Sequence, residues 1–185
     1  LIYNTIRVDY EKEYKQDRWY IISPIVYLGK NNDYSNQKVQ QENHFNTMYG
    51  GGMGLYYKHM IGVSYIINTY FSIGARYNYI YLDYKNYAWV TIIENGNETL
   101  IYDLVDINQQ IHRADADFLI GLETELYQRL YIDTYIGFAL RYSYSLYNQD
   151  FPDKKFEEGM WSYAYTGPAM LLGIKIGFLN KRYRW

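Results

Sequence analysis

Acid–base or nucleophilic chemistry in this chain would have to start from His44, His59 or His112, the only three imidazoles present. In an extended strand, residues an even number apart share a face. His59 and Ser64 are five apart, so they fall on opposite faces, and a His-x-Ser pair is absent. His112 is separated from Asp115 and Asp117 by odd spacings as well. Asp115 and Asp117 do share a face. Calcium would ask for a wider ring of loop carboxylates, so the pair reads as structural. Gly50-Gly51-Gly52 lacks the Lys-Ser/Thr pair and the following helix of a phosphate loop, and reads instead as close backbone approach. With no Cys, thiolate metal sites, disulfides and cysteine nucleophiles drop out. No catalytic residue, metal or cofactor is assigned, and the sequence names no small-molecule ligand.

Charge narrows the classes further. A net charge of −2 gives no general attraction to nucleic acid. Tyr supplies 26 residues, against 3 Pro and 14 Gly, a composition suited to strands joined by Asn- and Gly-based turns. No apolar stretch is long enough for a membrane-crossing helix. A mean hydropathy of −0.41 is compatible with a membrane barrel, where every second residue faces inward. No signal peptide is read at Leu1, and one is expected to lie outside these residues.

The elements that must position any site show themselves by alternation with period two. In Leu130–Leu146, Ile132, Ile136, Phe138, Leu140 and Tyr142 alternate with Asp133, Gly137, Ala139, Arg141 and Ser143. Ala114–Tyr127 and Met170–Phe178 repeat the pattern, as do the segments around Leu55 and Ile73. One face is large and oily; the other is small, polar or charged. A solvated face has no reason to be small, whereas a narrow barrel interior requires it. The spacing therefore predicts an all-β, transmembrane, up-and-down antiparallel barrel over residues 1–185, one domain with lipid outside. Its interior would hold Arg7, Lys58, Arg76, Arg141 and Lys175 beside Asp9, Asp115, Asp117, Glu123, Glu125 and Asp133 as an ion-pair network. Aromatic girdles are expected at Tyr65, Tyr70, Phe71, Tyr127 and Phe178 on one rim, and at Tyr27, Tyr49, Tyr79, Tyr142 and Tyr144 on the other.

Seven strands are read, near 2–12, 18–30, 47–66, 70–93, 98–127, 130–147 and 160–179. Trp19–Lys30 is apolar on both faces and leaves its register open. Bacterial barrels have even numbers, so eight are expected, with one preceding Leu1 or two merged around Thr166-Gly167-Pro168. Short turns at Glu13–Asp17, Ile67–Thr69 and Gln128–Arg129 alternate with long connections at Asn31–Asn46 and Tyr147–Gly159, the periplasmic and external sides respectively. The arms around Asn95-Gly96 exceed a bilayer span, so the hairpin should project outward, with alternation lapsing over Ala88–Arg113.

Segments such as Gly52-Met53-Gly54-Leu55-Tyr56-Tyr57-Lys58, Ser72-Ile73-Gly74-Ala75-Arg76-Tyr77 and Leu172-Gly173-Ile174-Lys175-Ile176-Gly177-Phe178 resemble the small OmpA/OmpX-like outer-membrane barrels, porin-like and in the Tyr/Asn/Lys-rich style of the Bacteroidota. The resemblance implies a bacterial outer-membrane location and a terminal aromatic read during assembly, matched by Trp185 or Phe178. The expected role is non-enzymatic: a side-chain-plugged structural or interaction barrel, or an accessory subunit of a larger outer-membrane assembly. Its external surface would include Tyr87, Trp89, Tyr102, Phe151 and Trp161. A lipid-modifying enzyme and a narrow channel are the alternatives.

Overall fold

The computed structural model describes residues 5–30, 47–64, 67–94, 97–127, 130–147 and 163–178. All regular structure among them is strand: β1 (Thr5–Arg7), β2 (Tyr10–Lys15), β3 (Arg18–Lys30), β4 (Thr47–Val63), β5 (Ile67–Glu94), β6 (Asn97–Tyr127), β7 (Leu130–Tyr147) and β8 (Gly167–Phe178). They form one antiparallel sheet in sequence order, with β1 and β2 both paired to β3. Tyr, Ile and Val at alternate positions favour such strands because their bulk packs on a pleated surface.

β1 and β2 are one strand interrupted at Val8–Asp9, opposite Pro24 of β3. Proline has no N–H to give a ladder, and the Val8 amide donates to the Pro24 carbonyl at 3.1 Å across the break. The β2–β3 turn uses Asp17 at φ 62, a left-handed conformation that a short polar side chain tolerates. β5 begins at Ile67, so the turn expected at Ile67–Thr69 comes earlier, after Val63. The Thr166-Gly167-Pro168 segment marks the start of β8 and does not join two strands. In β3 the even residues Tyr20, Ile22, Val26 and Leu28 face out, while Ile21, Ser23, Ile25 and Tyr27 are buried.

The sheet is strongly curled. Flat, six strand spacings of about 4.8 Å would hold β1/β2 roughly 29 Å from β8, yet Asp9 and Lys175 make an ion pair at 2.9 Å. Curling puts odd residues of β6 and even residues of β5 on the concave side. Alternation, expected to lapse over Ala88–Arg113, continues through the buried Ile107, Gln109, Ile111 and Arg113. At the end of the long connections the concave side turns apolar: Met48, Ile80, Leu82, Tyr84, Ile107, Ile111 and Tyr163 pack into one cluster. Sequence parity had made that whole face polar. Here the rim is filled by hydrocarbon.

β4 pairs with β5 only as far as Asp83, and β7 with β6 only as far as Gln109. Beyond these points, among the described residues, β5 and β6 pair with each other alone, from Tyr84↔Ile107 to Glu94↔Asn97. The result is a two-stranded ribbon whose base, at Tyr84, Val105 and Ile107, packs on the apolar cluster. Replacing residues 88–103 by a two-residue Asn-Gly turn should shift unfolding free energy by no more than about 2 kcal/mol, as loop shortening alone would. Urea unfolding in detergent measures it, and a larger loss would mean that the ribbon braces the sheet.

Candidate functional site

The concave side is where the charges meet. Six cations, Arg7, Lys58, Arg76, Arg113, Arg141 and Lys175, pair there with six carboxylates, Asp9, Glu11, Asp115, Asp117, Glu123 and Asp133. Their formal charges cancel.

Two hubs organise them. Asp115, fully buried, accepts from Arg141 Nε at 2.8 Å and faces Arg76 and Arg113, each at 3.2 Å. The positioning is register: Arg76 and Arg141 are the direct ladder partners of Asp115 on β5 and β7. Lower down, Lys58 is only 1% exposed and donates to Glu11 at 2.7 Å and to Glu123. The carboxylates of Glu11, Glu123 and Asp133 lie within 4.8 Å of one another, a metal-like grouping in which Lys58 serves as the cation. Asp133 takes the Tyr70 hydroxyl at 2.7 Å and Lys175 at 3.4 Å. Arg7 chelates Asp9 at 2.6 and 3.1 Å and reaches Ser23.

A repeated unit underlies these pairs. Tyr56 and Gly74 are ladder partners, as are Tyr70 and Gly121, Tyr131 and Gly177, and Tyr135 and Gly173. In each pair the ring lies over the glycine of the next strand, so that a Cβ there would strike it. On three of these rings a cation rests: Arg7 over Tyr56 at 4.8 Å, Lys58 over Tyr70 at 4.6 Å and Lys175 over Tyr135 at 5.1 Å. Tyr56 donates its hydroxyl to Asp117 at 2.7 Å. Backbone, ring, cation and carboxylate thus stack inward in layers, and desolvated cation–ring contacts of this kind contribute about 2 kcal/mol.

Ten of the eleven expected network residues come together. Glu125 is the correction: it lies at the short-turn end, exposed, and joins no ion pair among the described residues. Near the rim water solvates it without a partner. Tyr70 and Tyr27, assigned by sequence to the outer girdles, are buried inside. Tyr27 donates to Asn78 at 2.9 Å and accepts from Arg113 Nη2 at 3.0 Å. Parity would have found Tyr70, which shares a face with Arg76; Tyr27 sat in the ambiguous strand. Glu11 follows Arg7 and Asp9 on one face, so the signal for it was present. Arg113 was hidden by the assumption that alternation stops above it.

The histidines lie elsewhere. His59 Nδ1 is 3.1 Å from the Asp17 carbonyl, and His112 Nδ1 is 2.7 Å from the Tyr77 hydroxyl on the outer face. His44 lies outside the described residues. Of the expected external surface, Trp89 and Tyr102 are ladder partners with rings 5.2 Å apart, both exposed. Tyr87 pairs with Leu104 in the ribbon backbone, and its side chain is outside the described residues, as are Phe151 and Trp161.

Two substitutions separate the hubs from ordinary ion pairs. Arg141→Ala leaves Asp115 two guanidiniums, whereas Asp115→Ala leaves Arg113 and Arg141 without a carboxylate and Arg76 with Asp117 alone, so Asp115→Ala should lose clearly more, with about 3–5 kcal/mol expected for breaking a buried pair. Equal losses in urea unfolding would show that water solvates the hub. Gly121→Ala should cost about 1–3 kcal/mol by overpacking, and much less in a Tyr70→Ala background. Additive costs would mean that ring and glycine do not pack as a unit.

No family model, no curated protein and no solved structure matches this chain.

Proposed function

We propose that the chain is a membrane-spanning, eight-stranded barrel of a bacterial outer membrane, non-enzymatic, with a lumen filled by its own side chains. It serves as a structural or interaction protein, or as an accessory subunit of a larger outer-membrane assembly. One observation carries the reading: polarity is inside out. Lys58 and Asp133 are 1% and 0% exposed, while Leu172 and Phe178 are 84% and 81% exposed. A water-soluble sheet would have the reverse, and only an apolar solvent makes this distribution favourable.

The outer face has membrane dimensions. Tyr14, Tyr20, Tyr57 and Phe71 gather toward the short-turn rim, and Tyr49 stacks on Tyr81 at 4.6 Å toward the other. From Phe71 to Tyr81 is ten residues, about 34 Å along a strand. At a tilt of roughly 40° that becomes about 26 Å, close to the ~25 Å apolar band of such barrels.

Plugging follows from the two layers of the lumen. The ion-paired stack fills its middle, and the Met48–Ile80–Leu82–Ile107–Ile111 cluster lies above it. That leaves the ribbon as the working surface. It projects Trp89, Ile93, Leu100, Tyr102 and Leu104, all exposed, and among the described residues neither of its edges has a ladder partner beyond Asp83 and Gln109. Free edges with apolar flanks suit strand addition by a partner protein.

Insertion tests the membrane reading. Ile136→Arg, at mid-band on the outer face, should destabilise the bilayer-inserted protein by about 2–4 kcal/mol. Folding into vesicles as well as wild type would sink the reading. Wild-type protein in planar bilayers should carry no steady ion current; a stable conductance would favour a channel.

A further inference from the structure

We infer that the sheet is one strand short of closure, and that the slot between β8 and β1/β2 is filled by a single strand from polypeptide preceding Leu1. It would run from the short-turn rim to the long-connection rim. The inference rests on the barrel reading above and adds which strand closes the barrel, and how.

The slot is visible in three ways. Among the described residues β8 pairs only with β7, and β1 and β2 only with β3. Below the ribbon, outward residues on β8 are the barest of the sheet: Ile174 is 74% exposed and Leu172 84%, against 55% for Ile136 and 45% for Ile73 farther in. A missing neighbour accounts for the excess. Finally, every step of the ladder is antiparallel. Six such steps leave β8 parallel to β1/β2. Antiparallel closure then requires an odd number of strands between them.

The Asp9–Lys175 ion pair fixes that number. At 2.9 Å between charged atoms, and with side chains reaching about 6 Å for Lys and 3.5 Å for Asp, the two backbones stand no more than about 13 Å apart. One inserted strand needs about 10 Å and three need about 19 Å. One fits.

The direction of the slot excludes several occupants. A second copy sharing the membrane is related by an axis along the membrane normal, so its β1 would lie parallel to β8 and fail the ladder. The connections β3–β4 and β7–β8 each start and finish at one rim, so they add strands only in pairs. Connections at the short-turn rim are two or three residues long, so a strand following Phe178 would begin near Lys181 and turn Lys181 or Arg182 toward lipid. On the other flank, β1 starts at the long-connection rim, where an upward strand would finish. Leu1–Asn4 then supply a four-residue hairpin connection, a common length. The incoming strand needs apolar outward residues. Where the Asp9–Lys175 bridge crosses its inner face it needs Gly, Ala or Ser.

The chain has no Cys, so a cysteine pair reads the slot without background. Val8→Cys/Ile174→Cys places thiols on the outward faces of the two edges, one residue before Asp9 and Lys175. In the folded 185-residue chain in detergent, oxidation should give no disulfide, because Cβ atoms must approach about 4 Å, whereas a bis-maleimide of about 10 Å span should link them. A rapid disulfide would overturn the inference by showing that the edges abut. Next, a copy of Leu130–Leu146, which already runs antiparallel to β8, is fused ahead of Leu1. Amide exchange along β8 should slow at least tenfold. No slowing, or slowing only when the copy is fused behind Trp185, would overturn the proposed occupant. These readouts hold in detergent whether or not vesicles accept the protein, so failed insertion would fell the membrane reading alone.

Discussion

Aromatic rings lying on glycines of the neighbouring strand set the geometry on which the rest of the lumen depends. Tyr56 on Gly74, Tyr70 on Gly121 and Tyr135 on Gly173 each form a shelf at a fixed height. Arg7, Lys58 and Lys175 lie on those shelves. The carboxylates then have few places left to go. A larger residue at any of these glycines would lift the ring, displace the cation above it and disturb a pair several strands away. Small residues on this face are therefore sockets at chosen positions, and narrowness alone does not explain them.

Alternation made much of this legible. Strand parity put Lys58, Arg76, Asp115, Asp117, Glu123, Asp133, Arg141 and Lys175 on one side, because a period of two survives any error at strand ends. The partnerships stayed hidden. Nothing local ties Lys58 to Glu123 or Tyr27 to Arg113; curvature brings them together, and curvature belongs to the whole sheet. Trp19–Lys30 was opaque because its inner residues, Ile21, Ile25 and Tyr27, are as apolar as its outer ones. The apolar rim misled for the same reason: Ile80 and Ile111 read as lipid-facing types, yet they pack inside the curl. Glu125 fits the parity and still misses the network, because depth along a strand decides solvation and parity does not report depth.

Two-layer filling also separates tasks along the long axis. The middle of the curled sheet is polar and ion-paired, while among the described residues the ribbon above its base at Tyr84 and Ile107 is held by its own ladder. Sequence can drift in the ribbon without disturbing the ion pairs below, with the Met48–Ile107 layer between them. A recognition surface that changes on a barrel that does not is a natural outcome of this arrangement.

The cancellation of six positive by six negative charges has a further consequence for the order in which the protein comes into being. Lys58 and Glu123 are 65 residues apart in the chain, and Tyr27 and Arg113 are 86 apart. No hairpin taken alone is neutralised. In the proposed membrane setting, a strand pair crossing the bilayer ahead of the others would carry bare charge into hydrocarbon, at several kcal/mol for each ion. Neutrality arrives only with the curl. In that setting the sheet would bend into shape before, or while, it crosses, so that one collective step would govern the rate of entry.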